Sequence, residues 1–216
     1  MSSKYLLTFS LILLTALPLD AACDKILPRT LSYNIDLKFD FSSNKLYGRA
    51  EIGFMNGSYK AIDTIPLLLY RLISVKSDSN EKGEPMTFRQ NVVSISGWEQ
   101  IQVNWIKIPL PASLQPGDVI KIVVDYDGYM LGYSAEGKRY VKDHIDKNFT
   151  LIRPDGLGYP MVGLPDNLNI MAIIKERYDF RINRTVPGGV MAVTGGKLTG
   201  RCYSFFNYLR QLPEIR

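Results

Sequence analysis

The chain is poor in the residues that hydrolytic enzymes most often use. Its 216 residues hold a single histidine, His144, and two cysteines, Cys23 and Cys202. A zinc site of the H-E-x-x-H kind needs two imidazoles one helical turn apart and a third ligand, so one histidine excludes it. His144 stands in the polar stretch Lys142-Asp143-His144-Ile145-Asp146-Lys147, which suits a solvated imidazole. No spacing around it picks out a site of one histidine plus carboxylates. A Ser-His-Asp triad would have to use the same His144, and the G-x-S-x-G elbow is absent. Gly132-Tyr133-Ser134-Ala135-Glu136-Gly137 comes close but is one residue too long. Cys-His catalysis is no better supported, because Cys23 lies near the N-terminus and Cys202 adjoins a predicted strand; both read as structural or disulfide-bonded. There is no Walker loop, no dinucleotide fingerprint and no Lys/Arg block longer than two, which argues against nucleotide and nucleic-acid partners.

What is present is an ordinary globular composition, 46% hydrophobic and 22% charged, with a net charge of +5 and 13 tyrosines. That length suits one domain, or one domain with a small appendage, and is enough to bury a core without metal or disulfide staples. The tyrosines and the recurring Val, Ile and Thr favour strands.

The N-terminus reads as a secretory signal peptide over residues 1–21, followed by one domain over 22–216. Lys4 supplies the positive start, residues 5–19 are apolar apart from Thr8, Ser10 and Thr15, and Leu19-Asp20-Ala21-Ala22 offers small residues for cleavage. The run is short for a spanning helix. The expected location is therefore secreted or periplasmic. Cys23 follows the two alanines directly, where a lipoprotein carries its lipid, but Asp20 occupies the place of the aliphatic residue that motif wants. The alternatives are a disulfide to Cys202, which an oxidising compartment permits, or a free thiol. Soluble export ranks above lipidation, and membrane contact is expected only through the signal peptide or a lipid on Cys23. Asn56, Asn148 and Asn183 each open an Asn-x-Ser/Thr triplet, a frequent chance pattern that matters only where Asn is glycosylated.

Along the domain the pattern is that of short strands. Leu31, Tyr33, Ile35, Leu37 and Phe39 alternate with polar residues, Ser42-Ser43-Asn44 reads as a turn, and a second strand runs from Leu46 to Phe54, giving an antiparallel hairpin. The apolar run 65–75 reads as a strand and 77–85 as a polar loop. Strands follow at 92–95 and 101–105. A turn-rich connector covers 110–118, and a clean alternation runs through Ile120, Ile122, Val124 and Tyr126. From 127 to 165 the sequence is rich in Gly, Tyr and Pro, and is read as long loops with short strands at 140–141 and 149–153. Residues 170–175 are ambiguous. Tyr178, Phe180 and Ile182 alternate, a hairpin is expected around a strand at 190–194, and a last strand at 203–208. With no amphipathic helix of normal length after the signal peptide, the fold class is all-β, a sandwich of mostly antiparallel strands.

Paired carboxylates are the catalyst a sequence hides best. Asp125 and Asp127 flank Tyr126 and would share one face of a strand, an arrangement more common in a solvated, charged face. Tyr126, Tyr129, Tyr133, Tyr140 and Tyr159 crowd the Gly-rich region. They offer either a ligand surface or rings that plug the end of the sandwich, and the structural reading ranks first.

The order of the segments resembles the amino-terminal β-domain of the zinc aminopeptidase N family. Tyr33-Asn-Ile-Asp-Leu-Lys-Phe-Asp40 and Leu46-Tyr-Gly-Arg-Ala-Glu-Ile-Gly-Phe54 are similar to its opening hairpin. Ile106-Lys-Ile-Pro-Leu-Pro111, Leu114-Gln-Pro-Gly-Asp118 and Ile122-Val-Val-Asp-Tyr-Asp-Gly-Tyr-Met130 follow in family order. So do Tyr159-Pro160, Leu164-Pro-Asp166, Tyr178-Asp-Phe-Arg-Ile-Asn183, Val186-Pro-Gly-Gly189 and Gly195-Gly-Lys-Leu198. The resemblance spans roughly residues 27–208 through patterns individually weak but correctly ordered. It implies a saddle-shaped β-domain that packs on a thermolysin-like domain. In that family the zinc, its ligands, the general-base Glu and the Gly-x-Met-Glu-Asn loop belong to the second domain, and none of those motifs occurs here. No catalytic residue, metal or cofactor is therefore expected within this chain. Many members hold the substrate's amino terminus with a Gln after a Phe-Thr-like pair. The matching pair here is Phe149-Thr150, and Leu151 follows it. Arg153 and Tyr159 are the remaining candidates for substrate contact in the same cleft.

Three functions compete on this basis. The first is a non-catalytic exported module that packs, through its loop-rich end, on a metallopeptidase domain or chain. The second is a free-standing peptide- or glycan-binding protein. The third, ranked last, is a carboxylate hydrolase with two buried adjacent acids.

Overall fold

The computed structural model describes residues 27–135, 138–148, 150–152, 156–187, 190–193, 197–202 and 205–210. In chain order the strands are β1 (Arg29–Asp40), β2 (Lys45–Met55), β3 (Ile62–Tyr70), β4 (Ile73–Asn80), β5 (Arg89–Ile95), β6 (Trp98–Leu114) and β7 (Val119–Tyr129). There follow β8 (Leu131–Ala135), β9 (Lys138–His144), β10 (Met161–Val162), the short helix α1 (Asn167–Ile173), β11 (Asp179–Thr185), β12 (Lys197–Cys202) and β13 (Phe205–Arg210). A seven-stranded sheet, β12-β13-β11-β1-β2-β7-β4, faces a four-stranded one, β10-β3-β6-β5; β8 and β9 form a separate hairpin. The fold is all-β, as the alternation implies. The pairing is antiparallel except between β1 and β11.

The opening hairpin forms as its period-two pattern dictates. Tyr33, Ile35, Leu37 and Phe39 point into the core, while Asp36 and Lys38 stay outside. At its turn the Asp40 carboxylate accepts the Ser42 amide at 2.9 Å, the Ser42 hydroxyl at 2.6 Å and the Ser43 hydroxyl at 2.7 Å. These bonds favour the charged form and hold its pKa down at about 2. Asn44 completes the turn with a left-handed φ of 54°, a conformation Asn tolerates better than most residues.

The apolar run read as one strand is two. Its first part is β3, in which residues 65–70 are buried on both faces, and the chain turns at Arg71 and Leu72 before β4 begins. Both-face burial gives a continuous apolar run rather than an alternation, which hides the break from periodicity. β4 then runs through the supposed polar loop as far as Asn80, because the outermost strand of the large sheet needs no strict alternation. The expected connector at 110–118 is mostly the tail of β6. Pro109 and Pro111 are carried there beside a register shift between Ile62 and Thr64 of the partner strand, where the ladder is already irregular. Residues 170–175 lie in and just after α1, capped by Asp166, whose Oδ1 accepts the Asn169 amide at 2.8 Å. Seven residues bury only one i,i+3 pair, Ile170 and Ile173, while Leu168 and Met171 are exposed, too little for a helical period to stand out. The strand expected at 190–194 is absent over its described residues 190–193, and 150–152 are likewise not strand.

The two sheets are tied by side-chain amides. Gln90 of β5 accepts the Val75 amide at 3.0 Å and donates to the Val75 carbonyl at 3.1 Å, so its amide group pairs with β4 as a neighbouring strand would. Asn104 of β6, buried, donates to the Ile73 carbonyl at 2.8 Å and to Gln90 Oε1 at 3.0 Å. The opposite end of the large sheet is formed by β12, β13 and β11, with β1 next in order.

Tight backbone approach also shapes this junction. Gly128 of β7 lies against the turn between β3 and β4, where a Cβ would overlap the Leu72 carbonyl oxygen. A backbone atom cannot swing aside, so Gly128→Ala should destabilise the chain by about 3 kcal/mol in urea unfolding; a cost below about 0.5 kcal/mol would contradict the packing. Asp78, 3% exposed, has no hydrogen-bond partner for either carboxylate oxygen among the described residues. Burial pushes its pKa up to about 7, with the nearby Ser79 amide pulling weakly the other way. The folded state thus keeps Asp78 neutral at pH values where the unfolded chain ionises it. Its contribution is fully present below the unfolded pKa near 3.8 and drains away as pH rises through about 7. Between pH 5 and 8 the loss should be on the order of 2 kcal/mol, and Asp78→Asn should remove it. Urea titrations of both proteins at the two pH values check this; an unchanged pH dependence in the variant would refute it.

Candidate functional site

The face of β1 and β11 that carries Leu37, Phe39, Phe180 and Ile182 meets loop residues of 146–148, 150–152 and 190–193. The result is a groove of about 480 Å³. Its floor is apolar, with Leu37 and Phe39 from β1 and Phe180 and Ile182 from β11. One wall is the turn after β9. It is anchored by buried Ile145, whose amide donates to the Met130 carbonyl at 3.1 Å. Within the turn, Thr150 Oγ1 accepts the Asp146 amide at 3.0 Å and donates to the Asp146 carbonyl at 2.9 Å. The Asn148 amide donates to Asp146 Oδ1 at 2.7 Å. The other wall is the segment 190–193, held by Arg184, whose Nη1 donates to the Val193 carbonyl at 2.9 Å. Met191 and Val193 are 80% and 76% exposed above this floor, and Leu151 is 38% exposed opposite them. Apolar side chains so exposed, continuous with an apolar floor, are the mark of a surface that something covers.

The predicted site residues distribute unevenly over this groove. Tyr159 lines it but is only 4% exposed. It belongs to an aromatic cluster, 5.8 Å from the Tyr33 ring and 5.6 Å from that of Phe180, with Tyr178 4.9 Å from Tyr33. Burial raises the Tyr33 hydroxyl well above its ordinary pKa, assisted by Tyr178. Arg153 and Cys23 lie outside the described residues, as does the whole segment 1–21 read as a signal peptide. Cys202 falls in β12, where the backbone alone is described. Leu151, at the position the family gives to Gln, lines the groove with an alkyl group that offers a substrate amine nothing. Sequence reasoning missed Met191 and Val193 as surface residues because a Val-rich run between glycine pairs reads as a strand.

Asp125 and Asp127 do share a face, the outer one of the large sheet, and line a trough of about 400 Å³. Both are neutralised there. Arg49 Nη1 sits 2.9 Å from Asp125, which also accepts the Ser77 hydroxyl at 2.9 Å. Asp127 lies 3.3 Å from Lys45 Nζ and 3.1 Å from Lys76 Nζ. Asp36 accepts Asn183 Nδ2 at 2.7 Å. Side chains of Asp125 and Asp127 are 38% and 20% exposed, so this is a solvated ion-pair ladder and not the buried acid pair that hydrolysis needs. Tyr126 is a core residue whose ring lies where a Cβ of Gly48 would be, and Tyr129 is 43% exposed beside Lys45. The side chains of Tyr133 and Tyr140 are not described. Among the described residues no three His, Cys, Asp or Glu side chains are grouped to hold a metal. Asn56 is fully buried: its Nδ2 donates at 2.7 Å to the carbonyls of both Lys60 and Leu114, and its Oδ1 accepts from Ser58.

No protein-family model matches the chain, and no curated protein does. Solved structures do. An M1 zinc metallopeptidase from Deinococcus radiodurans matches over 86% of this chain and 39% of its own, with a TM-score of 0.56 and 15% identity. A two-domain M1 zinc metallopeptidase bound to L-arginine matches over 86% and 40%, with a TM-score of 0.58 and 14% identity. Leukotriene A4 hydrolase from Saccharomyces cerevisiae matches over 86% and 27%, with a TM-score of 0.52 and 10% identity. At these identities the likeness is one of fold. The chain has the β-fold that M1 zinc metallopeptidases carry in part of their length, and it spans about 40% of the first of these structures. The resemblance read in the sequence is therefore matched in three dimensions.

Opening the Arg49–Asp125 pair should be nearly silent. Asp125→Asn is expected to change stability by less than about 1 kcal/mol, because exposed pairs gain little over hydration. A loss above about 2 kcal/mol in chemical denaturation would mean that the outer face is more than a solvated ladder.

Proposed function

We propose that this chain is a non-catalytic, exported β-module that docks, through the groove between 146–152 and 190–193, on a metallopeptidase domain. The observation that carries the reading is the exposed apolar set Leu151, Met191 and Val193 over a floor continuous with the core. The fold likeness to part of M1 zinc metallopeptidases supports the identity of the partner, and the signal-like segment 1–21 supports export. The chemistry belongs to the partner: zinc is bound there, and this chain contributes shape and apolar area. A free-standing peptide binder would use the same groove and the polar groups of its walls, Asp146, Asn148, Thr150 and Arg184, but the fold likeness to part of M1 zinc metallopeptidases favours docking.

The test has two arms. The purified mature chain should show no turnover of aminoacyl substrates with or without zinc; chelator-sensitive activity that follows the protein through purification would overturn the non-catalytic reading. Captured from the source's exported fraction, the chain should bring down a zinc metallopeptidase together with aminopeptidase activity. The double variant Met191→Asp, Val193→Asp should lose that capture by tenfold or more while keeping its circular dichroism. Capture unaffected by both charges would place the docking surface elsewhere.

A further inference from the structure

On the other side of the segment 156–174 lies a second and larger cleft, of about 730 Å³, away from the groove proposed for docking. Its walls are Ile101 at the start of β6, Ile170 and Met171 of α1, and Ile174 just beyond, with Trp98 also lining it. The size and apolar lining are those of small-molecule sites, which orient a ligand with very few polar groups. The charge is one-sided. Arg71, in the exposed turn between β3 and β4, is the one charged residue among the described residues lining the cleft. Its guanidinium makes a single long contact among the described residues, Nη1 to Gln102 Oε1 at 3.5 Å, and no ion pair. A cation beside a largely apolar cleft, whose other polar lining includes the neutral side chains of Tyr70, Gln100 and Gln102 and which holds no acid among the described residues lining it, is complementary to one ligand class. That class has a long apolar body and an anionic end.

We propose that this cleft binds an unbranched acyl chain ending in a carboxylate, the chain lying among Ile101, Ile170 and Ile174 and the carboxylate on Arg71. The planar guanidinium presents paired donors that match a carboxylate's two oxygens, a recognition that a neutral head group cannot use. Met171, unbranched and 40% exposed, forms a lip that adapts to the chain. The cleft and the docking groove share no lining residue.

Trp98 reports on it directly. The chain has two tryptophans, so in a Trp105→Phe background all tryptophan emission comes from the cleft. Titration with 11-bromoundecanoate below its micellar range should quench Trp98 saturably, and dodecanoate should displace it. Dodecanol should compete at least tenfold more weakly. Octanoate should bind weaker than dodecanoate by tenfold or more, since each buried methylene contributes. Arg71→Gln, an exposed turn substitution that leaves the core untouched, should weaken dodecanoate about tenfold and leave dodecanol unchanged. Absence of saturable quenching would overturn the proposal. So would equal binding of acid and alcohol, or an Arg71→Gln protein that binds dodecanoate as before, since the cleft would then be an undifferentiated apolar surface of the kind a protein partner covers.

Discussion

Burial of β3 on both faces is the constraint on which the rest of the architecture depends. Residues 65–70 present apolar side chains up and down, so neither face can be left to water without a loss of the order of 1.5–3 kcal/mol per large side chain. One face is answered by the seven-stranded sheet. Within its own sheet β3 pairs at one edge with β10, Leu68 opposite Met161 and Leu67 opposite Val162, and Ile173 of α1 comes close to Leu68 around Gly163. The same stretch lines the cleft through Leu157 and Ile170 and the groove through Tyr159.

This layout explains what was readable in the chain and what was not. Strands with one wet face announced themselves: Tyr33 to Phe39 and Ile120 to Tyr126 alternate and sit where their period places them. β3 lost its period through burial on both sides, and β4 was concealed by Ser77, Ser79 and Asn80, polar residues that an outermost strand accommodates. The helix α1 was too short to show a stripe, although its cap Asp166 stood in plain view. The candidate sites were less legible than the fold. Tyr159 is a candidate for substrate contact through its nearness to the Phe149-Thr150-Leu151 stretch that the family resemblance picks out, and its place in the Tyr33–Phe180 aromatic cluster is a matter of tertiary packing that no local pattern records. Met191, Val193 and Arg71 became visible only once the folded chain brought them to the groove and the cleft.

The division of charge follows the same geometry. The wide sheet turns a face to water that the narrow sheet never meets, and Asp36, Asp125 and Asp127 are set there in a ladder with Arg49, Lys45, Lys76 and Asn183. Acids in such a ladder have low cost and little chemical potential. Asp78, the one buried acid among the described residues, is isolated by burial rather than paired with a second carboxylate, so it bears on stability rather than on catalysis.

The amide of Gln90 has a consequence of another kind. A sheet that stops at β4 ends in a row of backbone donors and acceptors able to template any extended chain that drifts past. By taking both backbone groups of Val75, and with Pro85 bridging Ser79 and the Met86 amide on the Asp78 carbonyl, the chain closes that margin with its own atoms. The β4 margin is thereby less open to edge-to-edge pairing with a second molecule. Self-recognition is diverted from the backbone, where it would be indiscriminate, to side-chain surfaces, where shape and charge choose the partner.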